Sequence, residues 1–152
     1  ENNPADVSSW MTPGSVSGPY AFADTYFNQI WLNANLQLSM VATLKAYGQI
    51  PYNASGDAII KSGCAGTITQ AGSFGIFRTG AQLSASQVQQ IVNLVGADVS
   101  STISAQGYYL FCDAEATSPE VQQERGSPPI IFIYWDGGSV QSIVLPSYVI
   151  TG

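Results

Sequence analysis

The chain has 152 residues, 45% of them hydrophobic and only 9% charged, with a formal net charge of −6. That length suffices for one domain with its own core, burying roughly two-thirds of the surface the unfolded chain exposes. The charge balance argues against a nucleic-acid surface, since the only cations able to meet phosphates are Lys45, Lys61, Arg78 and Arg125, which are scattered; it also offers no electrostatic anchor for an anionic membrane. Charged residues usually make up about 25% of a soluble domain. Here Asn, Gln, Ser, Thr and Gly take their place. Neutral polar groups cost less to desolvate than ions, so this surface suits coverage by neighbouring molecules.

Residues 1–20 hold three prolines and two glycines without helical or alternating periodicity, and read as an irregular arm or linker, with Trp10 as a candidate anchor. The chain begins with Glu1 and no signal-peptide pattern follows, so the expectation is a piece of a longer protein. From Asp24, a good N-cap, an uninterrupted run to the stop at Gly48 predicts a long helix. One of its apolar faces carries Phe27, Ile30, Trp31, Ala34, Leu38 and Val41, and a second, displaced face carries Leu32, Leu36, Met40 and Leu44. Both faces call for cover, either within one core or at a subunit interface. The helix is long enough to cross a membrane, but Asn28, Gln29, Asn33, Asn35, Gln37, Ser39 and Thr43 make insertion into lipid too costly.

After Pro51, either Asn53 or Ser55 opens a second helix through Cys64, loosened by Gly63, Gly66 and Gly72. The stretch from Gly72 to Gly80 reads as a loop or short strand. Ser84 then caps a third helix with Val88, Ile91, Val92 and Val95 at helical spacing, closed by Gly96. The remainder reads as sheet: a strand from Gly107 to Asp113, then a polar connection with room for one helical turn, then the β-branched and aromatic strand Ile130 to Trp135. Asp136 to Gly138 supply a turn tolerant of positive φ, and Ser139 to Leu145 are expected to return as its hairpin partner. Pro146 interrupts that strand before an apolar end at Tyr148 to Ile150, a tail able to leave its own sheet and pair elsewhere.

The chain contains no histidine, which removes the usual general base of a Ser or Cys nucleophile and the commonest zinc ligand. Lys61 beside Ser62 is too short a signal for Ser-Lys catalysis and reads as a solvated helix lysine. Asp113 and Glu115 lack the second acidic cluster that a glycosidase or calcium site needs, and read as solvation at a strand end. The glycine-rich stretches lack the lysine and spacing of a phosphate cradle. Asn53-Ala54-Ser55 matches a glycosylation sequon, but nothing marks a eukaryotic secretory protein. Cys64 and Cys112 allow one disulfide arithmetically, but their apolar or small-residue surroundings favour buried free thiols. Arg125, beside Glu124 and after Glu120, either fixes its own connection or makes an intersubunit charge contact. No cofactor or catalytic group is expected.

The order of the strand at Gly107 to Tyr109, the Arg-x-Ser-Pro-Pro segment at Arg125 to Pro129, the aromatic strand to Trp135 and the Gly-Gly-Ser-Val-Gln turn at Gly137 to Gln141 resembles the C-terminal part of the tail-sheath proteins of contractile-tailed phages. The long helix and the turn at Ile50 to Gly56 are similar to the same family, so the likeness covers most of residues 20–152. The resemblance implies an α+β fold. Together with the element reading, it predicts a long N-terminal helix and two shorter helices packed against a small, mainly antiparallel sheet, with extended terminal arms. It further implies a structural, non-enzymatic subunit that polymerises with copies of itself around the phage tail tube and contracts during DNA delivery. On that reading its other partners are baseplate proteins, and it resides in the virion after assembly in the host cytoplasm. Residues 21–152 would form the assembly domain, with 140–152 a candidate exchanged arm. The candidate intersubunit contacts are Trp31, Leu36, Met40, Arg125, Val140, Ile143, Leu145, Tyr148 and Ile150. Other readings are a tail-tube or capsid subunit, a small hydrolase, and a carbohydrate-binding module displaying Trp10, Tyr108 or Trp135; the helical first half disfavours a closed tube-protein barrel.

Overall fold

A computed structural model describes residues 22–80, 82–140 and 149; the arm at 1–20 and most of the expected C-terminal arm lie outside them. The first helix, α1, spans Ala23–Tyr47. It begins two residues earlier than Asp24 as cap would require. Phe22 occupies the N-cap in extended backbone and offers no side-chain acceptor. Asp24 instead sits in the first turn, where its charge complements the positive end of the helix dipole, and its Oδ1 accepts from the Thr25 N–H at 3.0 Å. Gly48 stops the helix at φ 66°, a conformation that costs any other residue strain.

The second helix, α2, spans Ala54–Ser73. Asn53 caps it by accepting from the N–H groups of Ser55 and Gly56 at 3.0 and 3.1 Å. It continues well past Cys64 and through the three glycines expected to loosen it, because packing on α1 outweighs their local propensity. At Gly63 the two helices approach closely: a Cβ there would collide with Thr43 Oγ1 and lie 3.1 Å from Met40 Cε. Around it, Ser39 and Thr67 share a hydrogen bond at 2.6 Å, and the buried Thr43 hydroxyl donates to the Ser39 carbonyl at 2.8 Å. A seam of small and hydroxylated residues therefore joins α1 to α2, with each buried hydroxyl here satisfied.

The third helix, α3, spans Ala85–Val95 and opens on a full capping box between Ser84 and Gln87. Gly96 ends it in the left-handed region. A short helix, α4, at Ser100–Gln106 was not anticipated. It is rich in Ser and Thr, has no side-chain cap at Val99, and is anchored by Ile103, which is almost fully buried. The strand β1, Tyr108–Cys112, follows, then the one-turn helix α5, Pro119–Gln123, in the polar connection, and then β2, Ile130–Tyr134.

The strands pair antiparallel, with Tyr108 opposite Tyr134 and Cys112 opposite Ile130. The mixed α+β architecture and the small antiparallel sheet match the expectation; the helices number five among the described residues, because α4 and the single turn allowed for in the polar connection, α5, join the three main helices foreseen. The expected hairpin partner, Ser139 to Leu145, can be followed only at its first two residues. Ser139 and Val140 lie in no strand, residues 141–145 are outside the described region, and among the described residues the ladder partner of β2 is β1. The turn at Asp136 to Gly138 folds instead onto the loop after α2: Gly137 N–H donates to the Ile76 carbonyl at 2.8 Å and Arg78 N–H to the Trp135 carbonyl at 2.9 Å. This loop contributes a single bridge, Phe77 to Asp136.

The core sits between α1, the end of α2 and one face of the sheet. Leu32, Ala71 and Ile76 are buried at its centre, with Trp31, Leu36, Phe77, Phe132 and Tyr134 packed around them. Phe77 is the hub of an aromatic cluster, with ring centroids 5.2 to 5.9 Å from Tyr108, Tyr134 and Phe132, separations at which ring edges meet ring faces favourably.

Candidate assembly surfaces

The two apolar faces of α1 have different fates. Leu32 and Thr43 are buried, and Leu36, Ser39 and Met40 half-buried, on the side towards α2 and the core. The other face stays open: Phe27 is 65% exposed, Ile30 47%, Leu38 67% and Val41 48%, with Ala34 exposed among them. The helix carries no charge between Asp24 and Lys45. Isolated exposed leucines are ordinary, but a row of four large apolar residues along one helix is the mark of a contact surface.

A second feature lies where the end of α1 meets the start of α2. There Met40, Leu44, Ile50, Tyr52, Ile60, Pro128 and Ile130 line a groove of about 690 Å³ with Arg125 on it. Tyr52 braces its wall by donating its hydroxyl to the Gly126 carbonyl at 2.6 Å. Arg125 is exposed and has φ 56°, the sole non-glycine residue with positive φ among those described. The cause is the end of α5. Gly126 N–H bonds to the Val121 carbonyl at 2.8 Å and Arg125 N–H to the Gln122 carbonyl at 3.1 Å, a Schellman arrangement that puts Arg125 at the position usually given to glycine. Glycine is displaced to the next position, where a Cβ would lie 2.7 Å from Val121 Cγ1. A cation thus occupies a strained site in a chain with four cations in total.

Of the anticipated contact residues, Trp31 and Leu36 are half-buried against the core, and Trp31 also meets Phe74 edge-on at 5.2 Å. Met40 and Arg125 both line the groove. Val140 is 81% exposed, whereas Ile143, Leu145, Tyr148 and Ile150 lie outside the described residues. Sequence reasoning placed Phe27, Ile30, Leu38 and Val41 on one face of α1 but did not nominate them as contacts; their lack of any charged neighbour was the available signal. Tyr108, considered for a ligand platform, is packed between Phe77 and Phe132 instead.

The titratable groups serve the fold. Cys64 and Cys112 are both free and buried. The Cys112 thiol donates to Asp57 Oδ1 at 3.1 Å, and the same oxygen accepts from the Ala114 N–H at 2.8 Å, tying the start of α2 to the end of β1. Burial, then the hydrogen bond and charge of Asp57, push this thiol up to about 12, against a smaller pull from Lys61. Burial alone raises Cys64. Such thiols are poor nucleophiles. Asp113 Oδ1 accepts from the Ala116 N–H at 3.0 Å, shaping its loop, and Lys61 is exposed on α2. Among the described residues no three His, Cys, Asp or Glu side chains gather to hold a metal ion, and no helix is long and apolar enough to cross a membrane.

Open apolar helix, scarce charge and structural thiols together define a building-block domain, one whose prominent features are surfaces for other proteins. The chain belongs to the family described as E217 tail sheath protein gp31-like, C-terminal domain, whose model matches residues 23–148. It is thus a phage tail-sheath domain, a structural component of the virion. No curated protein matches it.

Proposed function

We propose that this domain is the assembly-competent part of a sheath subunit that polymerises with copies of itself around the tail tube and shortens during DNA delivery, with baseplate proteins as further partners and assembly in the host cytoplasm. The observation that carries this reading is the open face of α1, a row of large apolar side chains that water solvates poorly and a neighbour would cover. On this reading Arg125 and Met40 meet an adjoining subunit at the groove, with Trp31 and Leu36 at the margin of the α1 contact. The exposed Val140 begins an exchanged arm running through Ile143, Leu145, Tyr148 and Ile150 to Gly152, which would add a strand to a neighbour's sheet. An edge of the sheet, which has two strands among the described residues, would be the complementary acceptor.

Negative-stain electron microscopy of the full-length parent protein, intact and lacking Val140 to Gly152, tests this. Long cylinders from the intact protein and none from the deletion are expected. Discrete particles from the intact protein at every concentration would overturn the sheath reading, and normal cylinders from the deletion would overturn the arm.

A further inference from the structure

The open stripe of α1 has a symmetry that periodicity alone does not require. Ile30 stands four residues before Ala34 and Leu38 four after; Phe27 stands seven before and Val41 seven after. At about 100° per residue, all five fall within a band about 80° wide centred on Ala34. Rotating the helix by half a turn about an axis through Ala34, perpendicular to the helix, exchanges large apolar positions with large apolar positions. The smallest side chain of the stripe lies on the axis. The same rotation brings Asp24, in the first turn, beside Lys45 of a second copy, in its last turn, and reverses the helix dipole against its partner. These are the marks of a self-complementary two-fold contact, in which residue i meets j and j meets i.

We propose that the unassembled protein pairs through α1 with a second copy, antiparallel, with Ala34 facing Ala34, Ile30 facing Leu38 and Phe27 facing Val41. Alanine at the crossing lets the helix axes approach to the short end of the usual 8–10 Å range. Charge complementarity selects the occupant: the stripe has no charge, and the ions on α1 at its two ends, Asp24 and Lys45, are opposite in sign and satisfy each other in this orientation. A parallel pair would set Asp24 against Asp24 and Lys45 against Lys45. A two-fold contact closes on itself, whereas a helical polymer needs head-to-tail contacts that do not. The α1 pair is therefore a terminating contact, a form that covers the apolar face while keeping the subunit out of the polymer. Only that last consequence rests on the sheath reading.

The test uses the 152-residue chain. Sedimentation over a micromolar concentration series is expected to show a monomer–dimer equilibrium. Ala34→Arg sets like charges face to face on the axis and is expected to weaken the dimer by at least about tenfold; because Ala34 is exposed, the fold tolerates it, which circular dichroism checks, and Leu38→Glu provides a second disruption. Geometry is read by oxidation of introduced cysteines, with buried Cys64 and Cys112 as silent background. Ala34→Cys is expected to form a covalent dimer readily, Leu38→Cys alone to do so poorly, and a mixture of Ile30→Cys with Leu38→Cys to cross-link as the heteropair. A monomer at every concentration, a dimer indifferent to both Ala34→Arg and Leu38→Glu, or Leu38→Cys cross-linking as readily as Ala34→Cys would each overturn the proposal. None of these outcomes bears on cylinder formation by the parent protein, so the two readings fail separately.

Discussion

Replacing Gly63 with alanine tests how α1 and α2 are held together. The added methyl has nowhere to go: it meets the Thr43 hydroxyl, with Met40 Cε and Thr43 Cβ each 3.1 Å away. Thr43 is buried and its hydroxyl is engaged with the Ser39 carbonyl at 2.8 Å, so it cannot turn aside without leaving a polar group unpaired. Overpacking of this kind costs about 1–3 kcal/mol, and losing the Thr43 bond about 1 kcal/mol more. Against this, alanine in place of glycine inside a helix returns about 1 kcal/mol. The net expectation is a loss of about 2 kcal/mol, which for a chain of this size lowers Tm by about 4–8 °C. Gly66→Ala is the internal control. It lies one turn along the same helix with nothing within 4 Å of the added carbon, so it should gain about 1 kcal/mol from propensity alone. Urea unfolding by circular dichroism reads both, as shifts in midpoint of opposite sign at constant slope. Equal shifts in the two variants would refute the close α1–α2 seam.

Three further outcomes follow from local geometry. Arg125→Gly relieves a left-handed conformation that costs a non-glycine residue about 1–2 kcal/mol, so thermal melting should show a small gain, while cylinder formation by the parent protein should fall if the guanidinium meets a neighbour. Tyr52→Phe removes the 2.6 Å bond to the Gly126 carbonyl and should cost about 1 kcal/mol in urea unfolding. Cys112 titrates from 9.0 when unfolded but near 12 when folded, so above pH 9 the unfolded state sheds a proton that the folded state retains. Its contribution is complete below pH 9 and is lost as pH rises towards 12; stability measured across that window should fall less steeply in Cys112→Ala, and a thiol reagent at neutral pH should label the native chain only after urea is added.

The parts of this fold that were legible in sequence are those with local chemical causes. Asn53 and Ser84 each supply an acceptor to N–H groups two to three residues ahead, and Gly48 and Gly96 adopt positive φ, so the α2 and α3 starts and the α1 and α3 ends could be read from single residues. Phe22 as the start of α1 could not, because it caps with no side-chain bond at all. Helix α4 was missed for a related reason: seven Ser- and Thr-rich residues have little intrinsic helicity, and what holds them is the burial of Ile103, a tertiary effect. Periodicity revealed two apolar faces on α1 but not their order of burial. Trp31 and Leu38 look equivalent on a helical wheel; the first packs on the core and the second faces water. Gly63, Thr67, Ser39 and Thr43 decided the matter by letting α2 approach one side closely. Small residues spread over two helices leave no pattern in either alone. Likewise, nothing in the glycine-rich turn after β2 signalled that its Gly137 N–H would be committed to Ile76, packing the turn on the loop after α2.

That division of α1 has a consequence for how sheath assembly is timed. A helix with no charge between Asp24 and Lys45 can be covered on both sides there, and the intramolecular side is filled first because α2 is tethered to it. The remaining stripe stays exposed until a second chain arrives, at a strength set by concentration. If the antiparallel pair and the polymer contact compete for that stripe, raising subunit concentration strengthens both, and the outcome turns on which bonds a growing cylinder adds elsewhere. On the proposed function, arm exchange and the Arg125 groove would be available only to the polymer. A subunit lacking Val140 to Gly152 should then accumulate as the α1 dimer rather than as monomer, whereas the double variant that also carries Ala34→Arg should remain monomeric. Finding the arm-deleted protein monomeric at concentrations where the intact chain dimerises would show that the tail, and not α1, joins the copies.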